Sequence, residues 1–250
     1  MDIRSLQATW DRFGREDPLW AVLSLPDKRG GRWDLEEFLA TGVREVDGLL
    51  AWLDEVGAES GKAVALDFGC GVGRLTQPLA ERFERAVGLD IAPSMIEVAR
   101  EINRAGDRCT FVLNERDDLA VFEDASFDLI YSNITLQHMP PSLAKRYLKE
   151  MIRTLKPEGV LVFQLPERPP ATLKARLKRL VPHGARARLR ALGQRLGAAP
   201  RIQMYWMTAR EVTMVVEGAG GSIVAMHDDW SGGPEWPGKR YAVKRARPAS

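Results

Sequence analysis

From Ala63 to Pro166, short apolar runs alternate with amphipathic stripes at a rhythm that leaves few folds open. "AVALDF", "AVGLD", "CTFVLN", "FDLIYSN" and "VLVFQL" each have the length of a buried strand. Between them, "RLTQPLAERF", "APSMIEVAREIN" and "SLAKRYLKEMIRTL" keep apolar residues about one helical turn apart. This alternation predicts an α/β fold, a doubly wound and mostly parallel sheet covered on both faces. Ser142 is the expected cap of the third helix, and "KPEG" an expected turn into the following strand. Pro78 allows only a helix whose hydrogen-bonded part starts late.

The first strand runs into Asp67-Phe68-Gly69-Cys70-Gly71-Val72-Gly73, and the second ends at Asp90. Such a sheet binds ligands beyond the carboxyl ends of its strands, where the strand order reverses. Gly69, Gly71 and Gly73 permit positive φ and close approach of a ligand to the backbone. The next helix offers free N–H groups to an anionic end of that ligand. A dinucleotide fingerprint would read G-x-G-x-x-G, whereas this turn reads G-x-G-x-G. Asp67 would also repel a pyrophosphate. A carboxylate there suits a ligand carrying positive charge and no phosphate. S-adenosylmethionine, with its ammonium, carboxylate and sulfonium, meets both demands, and Asp90 can accept the two ribose hydroxyls.

Elsewhere, a helix is expected over Ile3 to Phe13, and a longer one begins at Asp34, with Glu37 three residues on, and ends before Gly57. Thr208 and Glu211 form a second capping box, for a helix running to about Glu217. "SIVAMHD" and "YAVKRA" close the sheet. The expected organisation is a helical N-terminal cap over 1–57, a core over 58–165 and 202–250, and an inserted cap over 166–201. The net charge is +2, but Glu167 to Arg201 holds ten Lys or Arg against one acid, so the rest of the chain carries −7. No run is apolar enough to span a bilayer, and the N-terminus lacks the apolar core of a signal peptide. Cys70 and Cys109 are too few for a disulfide framework or a zinc cluster. A cytoplasmic location is expected.

From Lys62 to Pro166 the chain resembles the small-molecule branch of the class I S-adenosylmethionine-dependent methyltransferases. The resemblance rests on the glycine turn with Asp67 and Asp90, on "FEDASFDLIYSNITLQHMPP" and on "LKEMIRTLKPEGVLVFQLP". It implies a seven-stranded sheet in which an antiparallel last strand, "YAVKRA", lies between the fifth and sixth. It also implies that Asp67 and Gly69 hold the methionine moiety, Asp90 the ribose, and Ile91 one side of the adenine. Asn114–Glu115 matches the adenine-amino contact, with Glu115 where the family usually has aspartate. Asn133 matches a position beside the methyl-bearing end, and Arg74 could reach the methionine carboxylate. The family's DNA and protein amide methylators carry an Asn/Asp-Pro-Pro-aromatic stretch where this chain has Ser132-Asn133-Ile134-Thr135, which speaks against those acceptors.

The expected acceptor is a small molecule, most simply a hydroxyl of a sugar, lipid-linked glycan or secondary metabolite. N-methylation and non-catalytic cofactor binding are the alternatives. Methyl transfer from a sulfonium needs chiefly positioning and exclusion of water. For a hydroxyl, His138 in "LQHMP" is the candidate base. Trp10, Trp20, Tyr205 and Trp206 are candidate lid residues. His227 and Asp228 are candidates at the acceptor rim, without metal-specific spacing. The basic insert, "LKARLKRLV" and "ARARLRALGQRL", reads as a solvated lid, a cap over an anionic acceptor, or a membrane-surface contact. Without interleaved aromatics it is a poor nucleic-acid module.

Overall fold

The computed structural model describes residues 2–169 and 202–245. Nearly all of the basic insert, with the leucine stripes expected there, lies outside the described residues, as do 246–250. Among the described residues there are seven strands: β1 Val64–Phe68, β2 Arg85–Asp90, β3 Cys109–Leu113, β4 Phe127–Ser132, β5 Leu155–Pro166, β6 Gly221–Asp229 and β7 Gly238–Arg245. They form one sheet in the order β3-β2-β1-β4-β5-β7-β6. The first five are mutually parallel, and β7 is antiparallel to both β5 and β6. The sheet is therefore mostly parallel with a C-terminal antiparallel hairpin. Its order reverses at β1, which pairs with β2 on one side and β4 on the other.

The helices are α1 Ile3–Glu16, α2 Pro18–Val22, α3 Leu35–Glu55, α4 Thr76–Arg82, α5 Pro93–Glu101, α6 Pro141–Thr154 and α7 Ala209–Gly218. The pleat sends alternate residues to two cores. Leu66, Phe68, Ile130, Phe163 and Tyr241 face α6 and α7 through Tyr147, Met151 and Val212. Ala65, Leu129, Tyr131 and Val162 face Val46, Leu49 and Leu53 of α3 and Leu79 of α4. Thus α3, expected in the N-terminal cap, packs as a layer against the sheet itself. A third cluster joins Phe13, Ala21 and Phe38 to Val72, Ala92 and Met95, so the N-terminal segment lies against the glycine turn and α5.

Two local expectations are corrected. Helix α6 begins with Pro141 at its first turn after Pro140, and Ser142 makes no cap bond, because the proline needs no N–H acceptor there. "KPEG" lies within β5, at a register shift between Leu155 and Val160 opposite Phe127 and Leu129. The capping interactions of Asp34 with Glu37 and of Thr208 with Glu211 are present. Pro78 sits in the first turn of the seven-residue α4, where its missing N–H costs little.

Candidate active site

The site is built around the reversal point of the sheet. Asp67, the fourth residue of β1, is 1% exposed, and its Oδ2 accepts a 2.7 Å hydrogen bond from Thr76 Oγ1. Burial raises its pKa from 3.8 to about 7, against the pull of the Thr76 hydroxyl and the Arg74 charge. Gly69, Gly71 and Gly73 all have positive φ, at 77°, 54° and 80°. Sequence reasoning assigned their space to a ligand, but protein atoms use much of it. A Cβ on Gly69 would stand 2.2 Å from Thr135 Cγ2, one on Gly71 2.4 Å from Val22 Cγ2, and one on Gly73 2.7 Å from the Phe111 ring. The turn is thus locked to the β4 loop, to the N-terminal segment and to β3 at once.

Asp90 closes β2. Its Oδ2 accepts from Gly71 N–H at 2.9 Å and its Oδ1 from Ala92 N–H at 2.9 Å. Burial raises its pKa, opposed by those N–H donors. Each oxygen keeps a further lone-pair direction for a hydroxyl. Ile91 follows, half-buried against the core. Asn114 is buried, but its amide donates to Asp118 O at 2.8 Å and so shapes the loop. Glu115 is exposed and accepts from Gln7 Nε2 of α1. Helix α1 crosses this edge: Asp11 Oδ1 accepts from Ser94 N–H at 2.9 Å, and Asp11 O from the Ser94 hydroxyl at 2.8 Å. Because Ala92 cannot cap α5, a residue from another helix does so.

Arg74, expected to reach the methionine carboxylate, is only 4% exposed. Its Nη1 is 3.3 Å from Thr41 Oγ1, its Nε lacks a partner, and burial lowers its pKa against the charges of Glu45 and Asp67. Asn133 is buried at the end of β4. Its Nδ2 donates to Glu45 Oε1 at 3.2 Å while its Oδ1 is unpartnered. Next comes Ile134 at φ 57°, a costly conformation for a β-branched residue, then Thr135, whose hydroxyl reaches Asn133 O at 3.0 Å.

His138 is buried in a short 3-10 turn, Leu136–His138. Its Nδ1 is 3.0 Å from Gln203 O, which can only accept, so Nδ1 carries the proton. Its Nε2 then accepts from Gln137 Nε2 at 3.3 Å. Burial lowers its pKa from 6.5 to about 4, so the ring is neutral at pH 7. Trp10 meets its edge with ring centroids 5.0 Å apart. Tyr205 belongs to the segment crossing the same turn, with its N–H on Gln137 O at 2.7 Å. Trp20 instead donates to Leu25 O at 2.9 Å, and Trp206 is exposed. Of the four candidate lid aromatics, Trp10 thus packs on His138, and Tyr205 joins the same turn through its backbone.

His227 and Asp228 part company, since neighbours on a strand face opposite ways. Asp228 is exposed and pairs with Lys239 at 2.9 Å, which removes it from the acceptor rim. His227 meets Trp52 of α3 at 4.6 Å between centroids, beside an open groove of about 590 Å³ that also touches Arg44, Glu45, Asp229 and Arg240. Sequence reasoning missed the polar network in its floor. Glu45 Oε1 accepts from Tyr131 OH at 2.5 Å and from Arg240 Nη2 at 2.8 Å, and Arg240 Nε donates to Asp229 Oδ2 at 2.8 Å. The signal that could have found it is polar: Gln164 and Arg240 interrupt strands that are otherwise apolar where buried. Among the described residues, no cluster of His, Cys, Asp and Glu could hold a metal ion. None of their helices is long and apolar enough to cross a membrane.

A methyltransferase-domain family pattern matches residues 65–159, the stretch from β1 into β5. This stretch is similar to the methyltransferase domain of the class I S-adenosylmethionine-dependent methyltransferases. It is 38% identical over 104 residues to a trans-aconitate 2-methyltransferase from Enterobacter sp. (strain 638), covering 41% of this chain and 38% of that protein. It is 30% identical over 182 residues to a ubiquinone biosynthesis O-methyltransferase from Xanthomonas oryzae pv. oryzae, covering 70% and 65%. The chain therefore spans less than two thirds of the length of these curated relatives. A crystal structure of magnesium protoporphyrin IX methyltransferase from Synechocystis PCC 6803, with bound SAH, shares the fold. Its TM-score is 0.63 at 21% identity, covering 98% of this chain and all of that one.

Proposed function

We propose that this methyltransferase moves the methyl group of S-adenosylmethionine to a hydroxyl of a small-molecule acceptor. The observation that carries the reading is Asp67: a buried carboxylate at the mouth of a turn whose three glycines all have positive φ. Ionised, it offers a counter-charge to an ammonium in surroundings that would repel phosphate. The unpartnered Asn133 Oδ1 and Arg74 Nε, both buried nearby, are polar atoms awaiting a ligand. The residue set therefore fits the cofactor. Asp67 and Gly69 would hold the methionine end, Arg74 its carboxylate, Asp90 the ribose, and Ile91 with Asn114–Glu115 the adenine. When bound, the cofactor supplies a methyl group activated by a positive sulfur.

The chain's own residues supply positioning and dryness. Trp10 and the 202–207 segment cover His138 and the β4 loop, which keeps water from the reacting centre. His138 is the candidate base: its neutral ring presents the Nε2 lone pair, which Gln137 holds and would release by turning aside. The relatives named for O-methyl transfer support the hydroxyl reading. The test is incubation of the protein with isotopically labelled methyl donor and fractionated acceptor pools, read by mass spectrometry. A hydroxyl compound gaining one labelled methyl supports the reading, and label found only on nitrogen refutes it.

A further inference from the structure

Beside the network of Glu45 and Arg240, several buried amide atoms lack hydrogen-bond partners. Gln164 is fully buried on β5, and both of its amide atoms lack partners. Gln137 is 2% exposed; its nitrogen is engaged with His138, and its Oε1 is unpartnered. These two amides converge on one spot. A Cβ placed on Gly232 would stand 2.7 Å from Gln137 Oε1 and 3.4 Å from Gln164 Nε2. Gln164 lies opposite Arg240 in the β5–β7 register, so the two side chains share a face of the sheet. The Asn133 amide, with its orphan Oδ1, is tied to Arg240 through Glu45. Leaving this many buried amide atoms unpaired is costly, and native proteins keep such groups for a ligand or for water.

We infer that Gln137, Gln164 and Asn133 recognise a neutral, hydroxyl-bearing acceptor, and that Gly232 is kept bare because a side chain there would press on the two glutamine amides. Charge argues against a carboxylate. The Arg240 guanidinium already faces two carboxylates, Glu45 and Asp229, and Arg74 is assigned to the methionine carboxylate. No uncommitted buried cation remains among these groups for an anionic acceptor, and an unpaired charge here would be strongly disfavoured. A hydroxyl both donates and accepts, which matches an amide offering one atom of each kind. The open groove touches Glu45, Asp229 and Arg240, the network to which the Asn133 amide is tied. This assignment rests on the O-methylation reading, and its test separates the two.

The probes are neutral polyols (methyl α-D-glucopyranoside and catechol), two carboxylates (citrate and benzoate) and benzylamine. Saturation-transfer NMR would follow their binding to the full chain with S-adenosylhomocysteine present. At least one polyol should give transfer, reduced at least fivefold by Gly232→Ala and by Gln164→Leu, with no transfer to the carboxylates. Calorimetry with S-adenosylhomocysteine serves as the control for folding of each variant. If Gln164→Leu does not fold, Gly232→Ala and Gln137→Leu decide. Carboxylate or benzylamine transfer that Gly232→Ala suppresses would overturn the assignment, as would polyol transfer indifferent to the folded variants or no polyol transfer at all. Failure of the wild type to take up S-adenosylhomocysteine would instead remove the parent reading.

Discussion

Asp67 and Thr76 meet in a buried 2.7 Å hydrogen bond that ties the end of β1 to the start of α4. The bond stabilises the carboxylate only partly, since burial still holds its pKa near 7. In the unfolded chain the same group ionises near 3.8. Its contribution to stability is therefore full below about pH 4 and is lost as pH rises through 7.

Asp67→Asn should consequently separate stability from binding. The variant without ligand should melt above the wild type at pH 8, because it avoids a penalty of up to about 4 kcal/mol. Its affinity for S-adenosylmethionine should fall by roughly 10–100-fold, the value of a charge-assisted contact. Calorimetry and thermal melts at pH 5 and pH 8 check both. Unchanged affinity would remove Asp67 from the cofactor site.

Asp11→Ala should cost about 1 kcal/mol, the usual value of an N-cap. For a domain of this size that is a fall of roughly 2–4 °C in Tm. Ser94→Ala removes the hydroxyl half of the same contact and should give a smaller fall. Because Asp11 fastens α1 over the Asp90 edge, hydrogen exchange of α1 amides should also quicken in Asp11→Ala. Exchange at the wild-type rate would contradict that anchoring.

Gly69→Ala should be among the more damaging small substitutions. It forces φ 77° on an alanine and drives its Cβ into Thr135. A loss of about 1–3 kcal/mol is expected from backbone strain alone. Gly48→Ala is the contrast: it lies within α3 with nothing near its Cβ, so stability should hold or rise by a few tenths of a kcal/mol. Equal losses at the two sites, read from denaturant midpoints, would contradict the contact between the turn and the β4 loop.

His138 is depressed from 6.5 to about 4, so the stability linked to it is present above pH 6.5 and is lost as pH falls through 4. Used as a base, it would leave kcat independent of pH from 6 upward as far as this group is concerned. His138→Ala should lower kcat by about 100-fold or more while leaving cofactor affinity within threefold. A kinetic limb near pH 6.5 that vanishes in His138→Ala would show an imidazole far less buried than this one.

Most of the fold was legible because strand and helix periods, the three glycines and Asp67 are local signals. Asp34 with Glu37, and Thr208 with Glu211, are legible for the same reason, since each cap is satisfied within four residues. Ser142 misled because Pro141 already starts its helix. The polar network around Glu45 and Arg240 was illegible for the opposite reason. Glu45, Asn133, Gln164 and Arg240 come from α3, the β4 loop, β5 and β7, and only the insertion of β7 beside β5 brings them together. Seen in sequence, Glu45 is one more acid on an amphipathic helix. Nor could the sequence show that α3 lies over Arg74, with Gly42 bare against its carbonyl.

The central claim is that the pocket beyond β1 is negative because its ligand is positive. Titration calorimetry of the wild type at pH 7.5 against S-adenosylmethionine, ATP and NAD tests it most directly. The account predicts binding heat with S-adenosylmethionine and none with either phosphate ligand. Tight uptake of ATP or NAD, with no heat from S-adenosylmethionine, would contradict it.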